Sequence, residues 1–304
     1  LYAYWGFTTV FLFWAPMIKA TTVIGGLNKQ GKTFSFLDAG RGIIASSIGL
    51  IGVLIFSLVV IGDISNSTIN EKQEAFRYVI AASSAIVFLT GFIVYFSLNI
   101  KVKDVANIGD FGDMKNLVKS KSVILIGLII LTAYMGYKIT DVYSLYASEI
   151  MLLDEIEAAK IGAYQQYLRP LTCVSVAFFA DKSGNINVII AGFVIMLIGA
   201  ILFASGIIVA GLNSLFILSL IIVAVGTYII RGLYFSILRD GRIPLALSGT
   251  AIGLVSIIGY TPDIFATPFY GYLLDTYEGI KGHQLVYLTL ALSSLIGIYV
   301  SLKF

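Results

Sequence analysis

The sequence predicts an all-α membrane protein, and three observations carry that reading. Of 304 residues, 58% are hydrophobic and 12% charged, with a mean hydropathy of +0.94, leaving too few polar residues to cover a water-soluble fold of this size. Apolar runs of bilayer-spanning length recur along the chain. Those runs, 188–210 for example, are continuously apolar, whereas a membrane barrel alternates apolar and polar residues in segments of about 10. Disorder, nucleic-acid binding, secreted disulfide scaffolds and cytosolic enzymes drop out together. The single cysteine, Cys173, forms no internal disulfide, and a net charge of +3 is too slight to imply a polyanionic partner.

A spanning helix needs about 20 mostly apolar residues, and nine runs qualify. The first, 2–25, and the second, 36–62, are joined by a short basic loop; the third is 76–99. The fourth, 122–148, carries Tyr134, Tyr137, Lys138, Asp141 and Tyr146, of which the first four share one helical face. The fifth, 158–180, is the most polar, holding Gln165, Gln166, Arg169 and Pro170. The sixth and seventh, 186–210 and 214–238, are almost purely apolar until Arg231. The eighth, 244–274, contains Tyr260-Thr-Pro-Asp263 and Pro268, which predict a broken helix. The ninth is 284–303. Because Leu1 already lies in an apolar stretch without an initiator methionine, the chain reads as a fragment.

Orientation follows from lysine and arginine in the connections. Eleven fall on the side that holds Lys29, Lys32, the 100–121 segment, Lys182, Arg239, Arg242 and Lys303; four, namely Lys72, Arg77, Lys160 and Lys281, fall on the other. The basic side is expected to be cytoplasmic, and Phe304 with it. The long polar stretch 100–121 reads as a cytoplasmic linker between 1–99, three helices of one bundle, and 122–304, a bundle of six. A loose echo of Gly31 to Gly49 in Gly241 to Gly259, six spans later, suits duplicated six-helix halves.

The segment Ala177-Phe-Phe-Ala-Asp-Lys-Ser-Gly184 resembles the Gly-x-x-x-Asp-(Arg/Lys)-x-Gly signature of the major facilitator superfamily, with Ala177 in place of the first glycine. Arg231 to Leu238, Gly249 to Phe265 and Gly271-Tyr-Leu-Leu-Asp275 look like helices ten and eleven of its bacterial sugar-phosphate permease-like members. The resemblance implies major facilitator-type helical bundles, with the nine spans matching helices four to twelve of twelve. It also implies a cytoplasmic gate at Asp181, Lys182 and Gly184. On residue chemistry alone that segment reads as an ordinary solvated turn rather than a latch.

Ionisable residues inside spans cost about 2.5 to 3.5 kcal/mol each at a helix centre on insertion scales, so they are expected to face a cavity or a partner. Arg41, Lys138, Asp141, Arg169, Arg231 and Asp263 qualify; Lys19 and Asp38 fall nearer the ends, where snorkelling is open to them. Arg169 is expected to contact an anion or gate charge, its guanidinium solvated by water, by a carboxylate such as Asp141 or Asp263, or by the solute itself. At i,i+3, Lys138 and Asp141 are equally placed to neutralise each other. His283 is expected in a solvated external loop.

The expectation is therefore a secondary active transporter in the cell membrane, moving a small, anionic organic solute by alternating access. Arg41, Tyr134, Tyr137, Lys138, Asp141, Arg169, Arg231 and Asp263 would bind the solute or couple its movement, as symport or antiport, to a proton, sodium or phosphate. No enzymatic activity, cofactor, metal or nucleic acid is expected, and the chain is expected to act as a monomer in the lipid bilayer. The alternative is a transporter-like receptor that senses a solute without moving it. An integral membrane enzyme ranks third, since no nucleophile–base pair or metal set is visible. The orientation is checked by single-cysteine labelling: membrane-impermeant maleimide should reach cysteines placed at Ser120 and Ser183 only from the cytoplasmic side, and one at Ser67 only from outside. Labelling of both sets from one side rejects the topology.

Overall fold

A computed structural model describes residues 4, 7–26, 29–59, 68–97, 117–241, 243 and 247–304. Every regular element among them is helical. Eight helical stretches, from Phe7–Gly25 to Ile280–Lys303, are long and apolar enough to cross a membrane. The protein is a multi-pass, all-α membrane protein.

The chain divides into two compact units, Leu1–Gly40 with Val105–Phe304, and Arg41–Asp104. In the first, a π-helical Phe7–Trp14 runs into α1 (Ala15–Gly25). Helix α2 (Gln30–Val59) begins there and continues into the second unit. The first unit resumes with α4 (Lys121–Ile139), α5 (Tyr143–Glu149), α6 (Glu155–Gln165), α7 (Leu168–Ser183), α8 (Asn185–Ala204) and α9 (Asn213–Leu233). A 3-10 turn at Ser236–Leu238 leads to α10 (Ser248–Gly259), α11 (Pro262–Thr276) and α12 (Ile280–Lys303). The second unit holds the rest of α2 and α3 (Ile69–Ser97). Most of the expected linker 100–121 lies outside the described residues, which resume at Leu117.

Among the described residues, eight of the nine expected spans contain a membrane-length helical stretch; the fifth does not. It is split into α6 and α7 around Gln166 and Tyr167. Pro170 explains the place: it has no N–H to offer the carbonyl four residues back, which is that of Gln166, and its ring crowds that carbonyl. Asp154 caps the new start, accepting from the Glu157 N–H at 2.8 Å. The eighth span breaks as expected, between Gly259 and Pro262, with Pro262 first in α11, where a missing N–H costs nothing. Pro268, by contrast, stays inside α11.

The core of the first unit sits where α8 packs on α9 and α12, and α4 on α9, α10 and α12. Two neighbouring helices gain little from the hydrophobic effect when lipid is equally apolar, so close backbone approach and packing must hold them. Glycine supplies that approach on α8 and α9. A Cβ on Gly226 would lie 2.6 Å from the Met196 backbone nitrogen and 2.7 Å from the Gly192 carbonyl oxygen, so the two backbones touch there. Towards the end of the bundle where α8, α9 and α12 meet, aromatic rings fill the space: Phe203 stacks on Tyr287 at 4.2 Å and Tyr146 on Phe216 at 5.7 Å. The Tyr146 hydroxyl donates to the Ile208 carbonyl at 2.7 Å.

The same end corrects the expectation for His283. It lies on α12 fully buried, Nε2 2.9 Å from Glu149 Oε2, its ring edge-on to Tyr146. The turn into α12 at Gly279, at φ +64, tucks the histidine under α5, a position local sequence does not reveal.

In the second unit, α3 opens on a capping box: the Thr68 N–H donates to Glu71 Oε2 at 2.8 Å and the Glu71 N–H to Thr68 Oγ1 at 3.4 Å. A Cβ on Gly52 would meet Val79 at 3.3 Å, so α2 and α3 touch there.

The Gly226 contact makes a prediction. Replacing Gly226 with alanine forces two backbones apart and should cost about 1–3 kcal/mol, lowering the unfolding midpoint in detergent by several degrees. Gly253→Ala, where a Cβ meets nothing within 4 Å, should leave the midpoint unchanged; equal midpoints for the two variants would remove the packing argument.

Candidate functional site

The buried charges of the first unit gather where α2, α7 and α9 converge. Asp38 lies on α2 in the run Phe34-Ser-Phe-Leu-Asp38, one turn beyond Phe34, which faces the core. The approach is close: a Cβ on Gly232 would meet Cys173 Sγ at 3.4 Å and Ser35 Oγ at 3.5 Å. Asp38 is thereby buried, and the snorkelling open to it from its place in the sequence is not taken.

Its partner is Arg169. The guanidinium binds in a fork, Nε to Asp38 Oδ2 at 3.0 Å and Nη2 to Oδ1 at 2.5 Å. Both side chains are 6% exposed. A carboxylate does meet Arg169, but it is neither Asp141 nor Asp263, the examples the sequence offered; it arrives from 131 residues away. A forked, buried, charge-assisted pair is the strongest kind of side-chain hydrogen bonding available. Around it, Cys173 Sγ lies 3.6 Å from Asp38 Oδ2 and 3.6 Å from the Tyr228 carbonyl oxygen, and the Tyr228 hydroxyl donates to Gln165 Oε1 at 2.8 Å. The glutamine beside the α6–α7 break is thus part of the same network.

Arg231, from the last turn of α9, approaches the same carboxylate, but Nε stands 3.7 Å from Asp38 Oδ1, a charge contact rather than a hydrogen bond. Its side chain is 8% exposed, and Nε and Nη1 are buried without a hydrogen-bond partner. The guanidinium lies over the Tyr137 ring at 3.8 Å and 5.9 Å from the Tyr134 ring centroid. Two guanidiniums thus share Asp38, one satisfied and one not.

Across Tyr134 lies a second cluster. The Tyr134 hydroxyl donates to Asp263 Oδ2 at 3.1 Å, its ring packs edge-on to Tyr260 at 4.9 Å, and the Tyr234 and Tyr260 hydroxyls are 3.3 Å apart. Lys138 Nζ reaches Asp141 at 3.1 Å and Asp263 at 3.6 Å. The helical face expected on α4 is therefore assembled, and α11 adds its first acidic residue to it. Of the eight residues expected to bind or couple, seven meet in these two linked clusters. The eighth, Arg41, begins the second unit.

The expected cytoplasmic gate is a different place. Gly184, at φ +82, makes the turn between α7 and α8 and lines a cleft of about 350 Å³ with Gln30, Asn185, Ser236, Arg239 and Asp240, among others. Burial pushes the Asp240 carboxyl above the usual range, against the opposing pull of Arg239. Lys182 is exposed; Asp181 lies in the last turn of α7, with its side chain outside the described residues. Among the described residues, no three His, Cys, Asp or Glu side chains gather to hold a metal.

The chain is similar to two proteins of Escherichia coli strain K12. It is 24% identical to the inner membrane protein YihN, over 99% of this chain and 72% of that protein. It is 21% identical to the inner membrane protein YqcE, over 92% of this chain and 66% of that protein. No protein-family model matches the chain, and no solved structure matches it. The sequence resemblance to the major facilitator superfamily and its sugar-phosphate permease-like members is accordingly corrected, because the relatives found carry only the description of inner membrane proteins. The correspondence of the spans to helices four to twelve falls with it. The physical reason lies in the motifs: Asp-Lys-Ser-Gly is common turn chemistry, and glycine-spaced runs recur wherever membrane helices pack.

The Asp38 pair predicts its own cost of removal. Asp38→Asn leaves two buried guanidiniums without their carboxylate and should destabilise the protein by about 3–5 kcal/mol, read as a large fall in the unfolding midpoint in detergent. Asp38→Asn combined with Arg169→Gln removes both halves of the fork and should recover part of that loss. An unchanged midpoint for the single variant would show the pair to be idle.

Proposed function

We propose that this protein is a membrane transporter for a small organic anion, and that Arg231 is the residue that meets the anion. The observation that carries the proposal is the guanidinium of Arg231, buried, beyond hydrogen-bond reach of Asp38, with Nε and Nη1 lacking partners. A guanidinium cannot shed its charge at any accessible pH, so an unsatisfied one at membrane depth is costly unless something else completes it. An anionic group supplies both the charge and the acceptor lone pairs, and the planar fork suits a carboxylate, phosphate or sulfonate.

The surroundings support a solute larger than an inorganic ion. Tyr134, Tyr137, Tyr234 and Tyr260 place four phenols beside Arg231, and such rings offer apolar faces with hydroxyls at their rims. Arg169, already forked to Asp38, acts in this reading as the positioning residue that holds the carboxylate away from a full bond to Arg231. Anion binding would then satisfy Arg231 in one conformation and release it in another, which is the differential interaction alternating access needs. The basic-side-inside orientation belongs to the same proposal.

The test is binding followed by flux. Purified protein is screened by thermal shift against small carboxylates, phosphates and sulfonates, and the anions that stabilise it are then offered to proteoliposomes. Arg231→Gln should abolish the stabilisation, and Arg231→Lys should weaken it about 10-fold or more, since charge remains but the fork is lost. Uptake by wild type and none by Arg231→Gln is the expected result. Undiminished uptake by Arg231→Gln overturns the assignment, and stabilisation without uptake turns the reading to a solute receptor.

A further inference from the structure

The two clusters that meet at Tyr134 carry opposite excess charges. On the Arg231 side, two guanidiniums stand against Asp38. On the far side, two carboxylates stand against one ammonium: Lys138 lies 3.1 Å from Asp141 and 3.6 Å from Asp263. Asp141 has the shorter contact and the i,i+3 spacing, so Asp263 is the carboxylate in surplus. Tyr134 touches both sides, its hydroxyl on Asp263 and its ring beside the Arg231 guanidinium. While the site is empty, the excess positive charge of Arg231 and the excess negative charge of Asp263 offset each other across one phenol.

We propose that Asp263 is the proton-coupling carboxylate of this transporter, taking up one proton when an anion occupies Arg231. The inference rests on the anion reading above. An anion on Arg231 cancels the positive charge that offset Asp263, and what remains is two carboxylates against Lys138 alone at membrane depth, which is costly. A proton removes that charge, and the Asp263 side chain is not sealed off by protein, being 51% exposed. No covalent bond other than the O–H forms, and one oxygen of the acid still accepts from Tyr134. For a monoanion, solute and proton together add no net charge to the bundle. Coupling is reciprocal: if the anion raises the proton affinity, protonation raises the anion affinity by the same factor.

Other groups around Asp263 fit this role. It stands in the first turn of α11, at the helix N-terminus. From α4 it faces Tyr134 and Lys138, with Asp141 just beyond. Tyr260, preceding α11, packs on Tyr134 and meets the Tyr234 hydroxyl. Helix α12, also packed on α11, brings Lys281, His283, Tyr287, Tyr299 and Lys303. Of these, His283 is held by Glu149, Lys281 lies over Tyr277 and Lys303 over Tyr299.

The test uses the full chain and two probes whose charge is constant across the neutral range, sulfate and methanesulfonate. Binding is measured at pH 6 and pH 8. Wild type should bind more weakly at pH 8, by up to about 10-fold per pH unit for one linked proton. Asp263→Asn, an uncharged isostere, should bind with no pH dependence and, in proteoliposomes, should exchange solute but not accumulate it against a gradient when the outside is acid. Asp141→Asn gives a second route should Asp263→Asn fail to fold: it leaves Lys138 to Asp263 alone, and should hold binding at the weaker, alkaline value at both pH values. A pH slope that survives Asp263→Asn, or wild-type binding with no slope, overturns the coupling while leaving the anion site standing. Binding of neither probe by wild type at either pH overturns both.

Discussion

A single carboxylate, Asp38, buried among membrane-length helices and approached by two guanidiniums, sets the terms for the rest of the site. Charges at that depth must be paired or lined by water, and the pairing here is uneven. Arg169 takes both carboxylate oxygens in a fork. What is left for Arg231 is a charge contact at 3.7 Å and the faces of two tyrosines. The strength of the first pair is the cause of the incompleteness of the second. A lysine in place of Arg169, with a compact ammonium instead of a fork, would leave one oxygen for Arg231 to bond.

The pieces that carry this arrangement were unequally visible in the amino-acid sequence. Spans could be read because a bilayer demands about 20 apolar residues in a row, and no tertiary contact is needed to see such a run. The breaks were legible where proline makes them, at Tyr260-Thr-Pro262. The consequence of Pro170 for Gln166 was visible only in part, since a bend and a complete break look alike in sequence. The stripe Tyr134, Tyr137, Lys138 follows from helical periodicity alone.

Long-range pairing was not legible. Asp38 and Arg169 are separated by 131 residues, and Tyr134 and Asp263 by 129. Nothing local to Asp38 distinguishes a buried partner from a residue near a helix end. The signal that existed was a count: intramembrane cations exceed carboxylates by two, so not every cation could have a carboxylate of its own. Position decided that the one left short is Arg231 and not Arg169. His283 taught the same lesson from the other side, since its burial under Tyr146 depends on how α5 and α12 meet rather than on its neighbours in sequence.

Gly226 and Arg231 belong to the same helix, five residues apart. With the α9 backbone in contact with α8 at Gly226, the two helices cannot come closer there, and close packing resists their sliding. The root of the arginine is therefore fixed, and its freedom is confined to its own side-chain torsions. In mechanical terms, the site has a rigid mount and a short, jointed arm: the bundle cannot relax toward the unsatisfied guanidinium, so whatever completes it has to travel to it.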